Sequence, residues 1–172
     1  TYNGTFGLNK VFKNIKMLDA DSYRATAKSM GLTFTDLGGN TNWLDEIERS
    51  TGITQNHNVA FSGGNDTGNY RASLGFVQKQ GALRNSDMRN YTAKIDAQQL
   101  AFDKKLKLEM GVMGSEYEGK QQYDMQKIFY SAASYNPTYP NTKNATTGKW
   151  DEDMLANEIY NPLGQLEIDN RY

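Results

Sequence analysis

Three consecutive stretches of this chain alternate apolar and polar side chains with a period of two, and that repetition constrains the fold more than any other feature. In 69–77, Tyr70, Ala72, Leu74 and Phe76 share one phase against Asn69, Arg71, Ser73 and Gly75. In 90–100 the apolar phase is Tyr91, Ala93, Ile95 and Ala97, and in 106–116 it is Leu108, Met110 and Val112. Successive side chains of a β-strand point to opposite faces, so each stretch predicts a strand with one apolar face. Weaker versions at 1–9, 54–63 and 165–172 bring the expectation to about six strands. The 17 Asn and 16 Gly, against only 3 Pro, supply residues that tolerate positive φ while adding few strand breakers. The fold class expected is all-β with short loop helices, built as an antiparallel meander.

The links between these strands alternate in length. Those at 63–68 and 101–105 are short, whereas those at 10–52, 78–90 and 116–164 are longer. In an antiparallel meander successive links lie at opposite ends of the sheet, so the longer ones all emerge at one end and the short turns at the other. Strands of about ten residues with that asymmetry are the sequence signature of an outer-membrane β-barrel. A soluble sandwich alternates along its strands too, but has no reason to segregate its loop lengths. Both architectures are compatible with the alternation, and the segregation favours the barrel.

The interior expected is thin. Leu, Ile, Val and Phe amount to 31 of 172 residues and the mean hydropathy is −0.77, values that in a highly charged chain poor in aromatics mean disorder. Here 12% aromatic residues and a net charge of −1 argue for order, and the balance of charge gives no basis for a nucleic-acid partner. No apolar run exceeds three residues, which excludes a transmembrane helix and leaves membrane strands untouched. The lack of cysteine removes disulfides, thiolate metal sites and thiol nucleophiles, and the single His57 removes multi-histidine metal centres. No phosphate-binding glycine loop, nucleophile elbow or zinc-peptidase motif occurs, so neither an enzyme nor a cofactor is expected.

The remaining polar residues read mostly as structure. His57, between Asn56 and Asn58, reads as a strand-end or interface residue rather than a general base. Asp151, Glu152 and Asp153 lack the spacing of a calcium loop, and Asp45, Glu46 and Glu48 read as a solvated helix face. Arg71, Lys94, Asp96, Lys107 and Glu109 fall in the polar strand phase, where they would pair across strands or line an aqueous lumen. Helices are expected in the longer links at 19–30 (stopped by Gly31), at 42–49 (with Asn42 as N-cap) and at 123–133. Those links also hold the candidate ligand or partner contacts, Trp43, Tyr123, Tyr130, Tyr135, Tyr139 and Trp150, with Tyr117 at their edge. Such rings offer rigid apolar area with a polar handle to a sugar or peptide. The same rings would equally pack the loops together or sit in an interfacial aromatic girdle.

Five blocks in fixed order carry a more specific signal. They are Thr41-Asn-Trp-Leu-Asp-Glu-Ile-Glu-Arg49, Gln55-Asn-His-Asn-Val-Ala-Phe-Ser-Gly-Gly64, Asn69-Tyr-Arg-Ala-Ser-Leu-Gly-Phe76, Asn85-Ser-Asp87 and Asn90-Tyr-Thr92. Together they strongly resemble the SusC/RagA-type TonB-dependent transporters of Bacteroidetes outer membranes. Leu18-Asp-Ala-Asp-Ser-Tyr23 is similar to that family's first long loop, and the likeness continues through Leu106-Lys-Leu108 to Asn161-Pro162, nearly the whole chain. One departure is Asn42, where the family usually carries Asp. The resemblance implies a barrel of about 22 strands with an N-terminal plug, located in the outer membrane of a Gram-negative, Bacteroidetes-type bacterium. It implies import of oligosaccharides or peptides, a SusD-like lipoprotein as extracellular lid, energy from the TonB system, and outer-membrane lipid against the apolar phase. On that reading 1–172 is a fragment of the early region of a larger transmembrane β-barrel with no plug domain, and loops 10–52 and 116–164 face outward. The alternative is a soluble β-rich surface domain that binds glycan or serves structure.

Overall fold

The computed structural model describes residues 1–12, 15–120, 124–156 and 158–168. Five strands form one antiparallel sheet whose spatial order follows the chain: β1 (Tyr2–Asn9), β2 (Gly52–Asn65), β3 (Gly68–Gln80), β4 (Asp87–Ala101) and β5 (Leu106–Lys120). The links hold α1 (Ala20–Ser29), α2 (Trp43–Ile47), α3 (Met125–Ser134) and α4 (Pro162–Leu166).

The register sorts the side chains as the alternation requires, because directly opposed residues share a face. Tyr70 opposes Ala97, which opposes Met110; Leu74 opposes Ala93 and Phe76 opposes Tyr91. Ile95 lies between Ala72 and Val112 in the same phase, and Leu108 opposes Gln99. This apolar face continues across β2 and β1 through Val59 and Tyr2. Nothing among the described residues covers it: Leu74 is 62% and Met110 61% exposed. Arg71, Lys94, Asp96, Lys107 and Glu109 all occupy the opposite face. Their ion pairs run along the strands rather than across them, Lys94 to Asp96 at 2.9 Å and Lys107 to Glu109 at 2.8 Å. Residues two apart on a strand point the same way about 7 Å apart, within a lysine's reach.

The strands outlast the alternation that revealed them. β3, β4 and β5 have 13, 15 and 15 residues, against the roughly ten that cross a membrane. Their added length is mostly polar, tied by Gln55 to Gln78 at 2.5 Å and by the Ile53 N–H to Gln80 at 2.9 Å. The apolar face ends before the hydrogen-bonded ladder does, so the link expected at 78–90 shrinks to 81–86.

Both short turns lie at one end of the sheet. Asn65 Oδ1 closes the first by accepting from the N–H groups of Thr67 and Gly68. The second places Phe102, Asp103 and Lys104 in the left-handed region, at φ 53, 51 and 67°. The other links begin at the opposite end, and there the buried apolar residues gather. Trp43, Leu44 and Ile47 of α2 pack with Ile128 and Ala132 of α3, with Leu166 of α4, and with Leu83 from the β3–β4 link. The cluster is stitched to the sheet by Arg49 N–H to Ala82 O (2.6 Å), Arg84 N–H to Ile47 O (2.9 Å), and the Arg49–Asp87 ion pair (2.9 Å).

The helices follow their local signals. Asp19 caps α1 by accepting from the Ser22 N–H, and Gly31, at φ 65°, stands just beyond its end. Asp124 caps α3 by accepting from the Lys127 N–H. Asn42 stands at the α2 N-cap, but its amide donates to Asp45 at 2.6 Å instead of capping the backbone. The strand expected at 165–172 does not form over 165–168. Asn161 accepts from the N–H groups of Leu163 and Gly164, Pro162 presets φ, and the chain turns into α4. Residues 169–172 lie outside the described residues.

Candidate functional site

The aromatic candidates separate by burial. Trp43, Tyr135 and Tyr139 are buried and meet edge to face, Trp43–Tyr135 at 5.0 Å and Tyr135–Tyr139 at 5.5 Å between centroids. The Trp43 indole N–H donates to Asn136 O at 3.0 Å; the Tyr135 hydroxyl donates to Asp151 O at 2.7 Å and accepts from the Asp153 N–H at 3.2 Å. Burial, and secondarily the charge of Glu152, pushes the Tyr135 phenol far above its usual range. These three rings therefore weld 135–139 to α2 and to 151–153, and present almost no surface to a ligand. Gly39 completes the joint: its N–H donates to Thr138 O at 2.7 Å, and a side chain there would strike the Tyr139 carbonyl. Tyr130 stands 63% exposed on α3, Tyr117 lies on the polar face of β5 rather than in a loop, and Tyr123 falls outside the described residues.

Trp150 sits differently. It lines a groove of about 820 Å³ between α3, α4 and the segment 149–160, together with Lys127, Lys149, Glu152, Tyr160 and Gln165. Lys127 Nζ lies 5.0 Å from the Tyr160 ring centre, and Lys143 Nζ 5.7 Å from that of Trp150. Lys143 also binds Glu167 at 2.8 Å and holds that carboxylate below its usual range. Burial raises the Glu152 carboxyl, while the Asn161 N–H, donating to it at 2.6 Å, opposes the shift. Two rings, two lysines and the Glu152 carboxyl thus converge on one concavity, able to stack on and hydrogen-bond to a ligand. Sequence reasoning missed Tyr160 and Lys127, because they lie ten and more residues from Trp150 in the chain and only the packing of α3 against the segment leading into α4 brings them to one groove. Asp151, Glu152 and Asp153 turn to three different partners, Asn144, Asn161 and Leu155.

His57 sits in the middle of β2 on the apolar face, not at a strand end. Tyr2 Oη and His57 Nδ1 are 2.7 Å apart, and the His57 ring is stacked between Tyr2 (6.1 Å) and Phe76 (6.2 Å), with Tyr91 5.0 Å beyond Phe76. The result is an aromatic row crossing four strands just where the apolar face gives way to Gln78, Arg89 and Glu118.

No family model matches the chain. It is similar to the TonB-dependent receptor SusC of Bacteroides thetaiotaomicron, at 30% identity over an alignment of 193 residues covering 99% of the chain and 19% of that protein. The chain belongs to the SusC-type TonB-dependent receptors. A second relative, the TonB-dependent receptor P3 of Formosa agariphila, is 32% identical over 90 residues, 52% of the chain and 9% of that protein. The chain thus spans about a fifth or less of the length of these curated relatives. TonB-dependent receptors are transporters rather than enzymes. In this SusC-type chain the blocks that carry the resemblance coincide with structural joints. Trp43, Leu44 and Ile47 anchor the apolar cluster, Arg49 pairs with Asp87, and Asn85, at φ 57°, donates its amide to Leu166 O at 3.1 Å.

Proposed function

We propose that the chain forms part of the early barrel wall of a longer nutrient importer in the outer membrane of a Gram-negative, Bacteroidetes-type bacterium. One observation carries this reading: an uncovered apolar face runs across the sheet opposite a polar one, and every short turn lies at the same end. Soluble monomers rarely leave such a face open, whereas a barrel wall sets it against lipid and turns the polar face to water. The short turns are then periplasmic and the long links extracellular. The imported nutrient is an oligosaccharide or peptide, a SusD-like lipoprotein meets the outward links, and TonB acts through other parts of the receptor. The groove at Trp150 and the exposed ring of Tyr130 supply substrate or partner contacts.

The test uses adjacent residues of β3 in the full-length receptor. Nitroxides at Leu74 and Ser73 in a bilayer should differ, the first relaxed by oxygen and the second by a water-soluble nickel chelate. The opposite pattern overturns the assignment of faces.

A further inference from the structure

The apolar face does not end level from strand to strand. One register row runs Phe6, Gln55, Gln78, Arg89, Glu118 from β1 to β5, apolar at one end, amide in the middle and charged at the other. Near the short turns the gradient reverses, for the row Asn65, Gly68, Gln99, Leu108 is polar on β2 and apolar on β5. Both limits of the apolar band slide in the same direction. Toward the long links its last member is Leu8 on β1 but Tyr91 on β4, which stands level with Gly4, four residues short of Leu8. Toward the short turns it stops at Phe61 on β2, whereas on β5 it continues at least to Leu108, four residues past Val112, which is level with Phe61. Strands lie about 4.8 Å apart and rise about 3.4 Å per residue, so four residues over three strand spacings set the band at about 45° to the rows. That is the inclination at which strands cross a bilayer.

The polar groups of this face divide along the same slope. Those on the β1 side satisfy one another. Gln55 Nε2 donates to Gln78, which leaves Gln55 Oε1 to accept from His57 Nε2 at 3.3 Å, and His57 Nδ1 then accepts from the Tyr2 hydroxyl at 2.7 Å. Four side chains thus make one run of hydrogen bonds across β1, β2 and β3. On the β5 side Arg89 and Glu118 oppose each other in the register without an ion pair, and neither they nor Glu116 has a hydrogen-bond partner among the described residues. A polar atom set against hydrocarbon must find its partner within the protein, whereas one in water need not. The bonding pattern therefore marks the same slope as the apolar limits, from a different set of atoms.

We propose that the extracellular boundary of the bilayer crosses this wall obliquely, high on β1 and low on β5. Phe6, Leu8 and the hydrogen-bonded run from Tyr2 to Gln78 then face lipid, while Arg89, Glu116 and Glu118 stand among headgroups and water. The proposal rests on the reading of the chain as barrel wall, and adds where on that wall the lipid ends. It is tested with single nitroxides at Phe6, Glu118 and Leu108 of the full-length receptor in a bilayer, each relaxed in turn by oxygen and by a water-soluble nickel chelate. The oxygen-to-nickel ratio should fall several-fold from Phe6 to Glu118, although the two share a row, and Leu108 should resemble Phe6. Leu8, Glu116 and Leu106 stand in for Phe6, Glu118 and Leu108 respectively where a labelled variant lacks the heat-modifiable mobility of a folded barrel. Equal ratios at Phe6 and Glu118, a higher ratio at Glu118, or a Leu108 label relaxed by nickel overturns the proposal. If the Leu74 and Ser73 labels behave as expected while Phe6 and Glu118 are alike, the oblique boundary fails and the wall reading stands; reversed Leu74 and Ser73 labels remove both.

Discussion

Asp36 shows how one carboxylate shapes the first long link. Arg24 grips it with two bonds, Nε to Oδ2 at 2.7 Å and Nη2 to Oδ1 at 2.9 Å, and the Gly38 N–H adds a third at 2.9 Å. Arg24 first, and Gly38 second, hold the Asp36 carboxyl down to about 2 from an ordinary 3.8. A folded value below the unfolded one means that the tether's contribution is complete above the unfolded value and is lost as pH falls through the folded one. Backbone amides of 33–40 should therefore stay protected from hydrogen exchange at pH 5, and lose protection only between about pH 4 and 2, whereas Asp36→Asn should loosen the segment at every pH. Loosening of the wild type already at pH 5 contradicts the assignment. The pairing was illegible in the sequence, where Arg24 lay in a short helix and Asp36 twelve residues on in an untyped loop. The same holds for the aromatics: Trp43, Tyr135 and Tyr139 look like Trp150 on the page, and only packing distinguishes a joint from a groove wall.

Among elements, the central strands were legible because one phase must stay apolar over its whole crossing, and a slip of one residue would invert every face. Their ends were not, since Gln78, Gln80 and Asp87 pair across the ladder without an apolar phase to betray them. α4 was misread for a related reason: Leu166 and Ile168 alternate with polar neighbours over too short a span to outweigh an Asn-Pro helix start. That start has a measurable weight. Asn161 is buried, accepts from two N–H groups of the first turn, and donates its amide to Asp151 O at 3.3 Å. Asn161→Ala should cost the loop cluster about 1 to 2 kcal/mol, seen as faster exchange and proteolysis across 150–168 with β2–β5 unchanged. Equal destabilisation of sheet and cluster would show that the two are not separate units of stability.

At the scale of the molecule, the two ends of the sheet are built on different principles. One end closes in turns of two and four residues with no packing of their own, while the other carries the helices and the buried apolar cluster. Outer-membrane barrels keep short turns on the periplasmic side and place their long loops outside, and ordered loops on a rigid scaffold are where binding residues concentrate. The cluster gives the long links that order: Leu83 from the β3–β4 link, α2 and α3 bury one another, so three separate excursions of the chain act as one body above the wall. An epitope tag near Asn144, in the exposed stretch between α3 and α4, should therefore be reached by antibody on intact cells that display the full-length receptor. A tag at Asp66, in the β2–β3 turn, should be reached only after the outer membrane is permeabilised. Labelling at Asp66 alone on intact cells inverts the topology. Uptake that survives deletion of 141–149 would leave the topology standing and reduce the cluster to a cover over the barrel mouth.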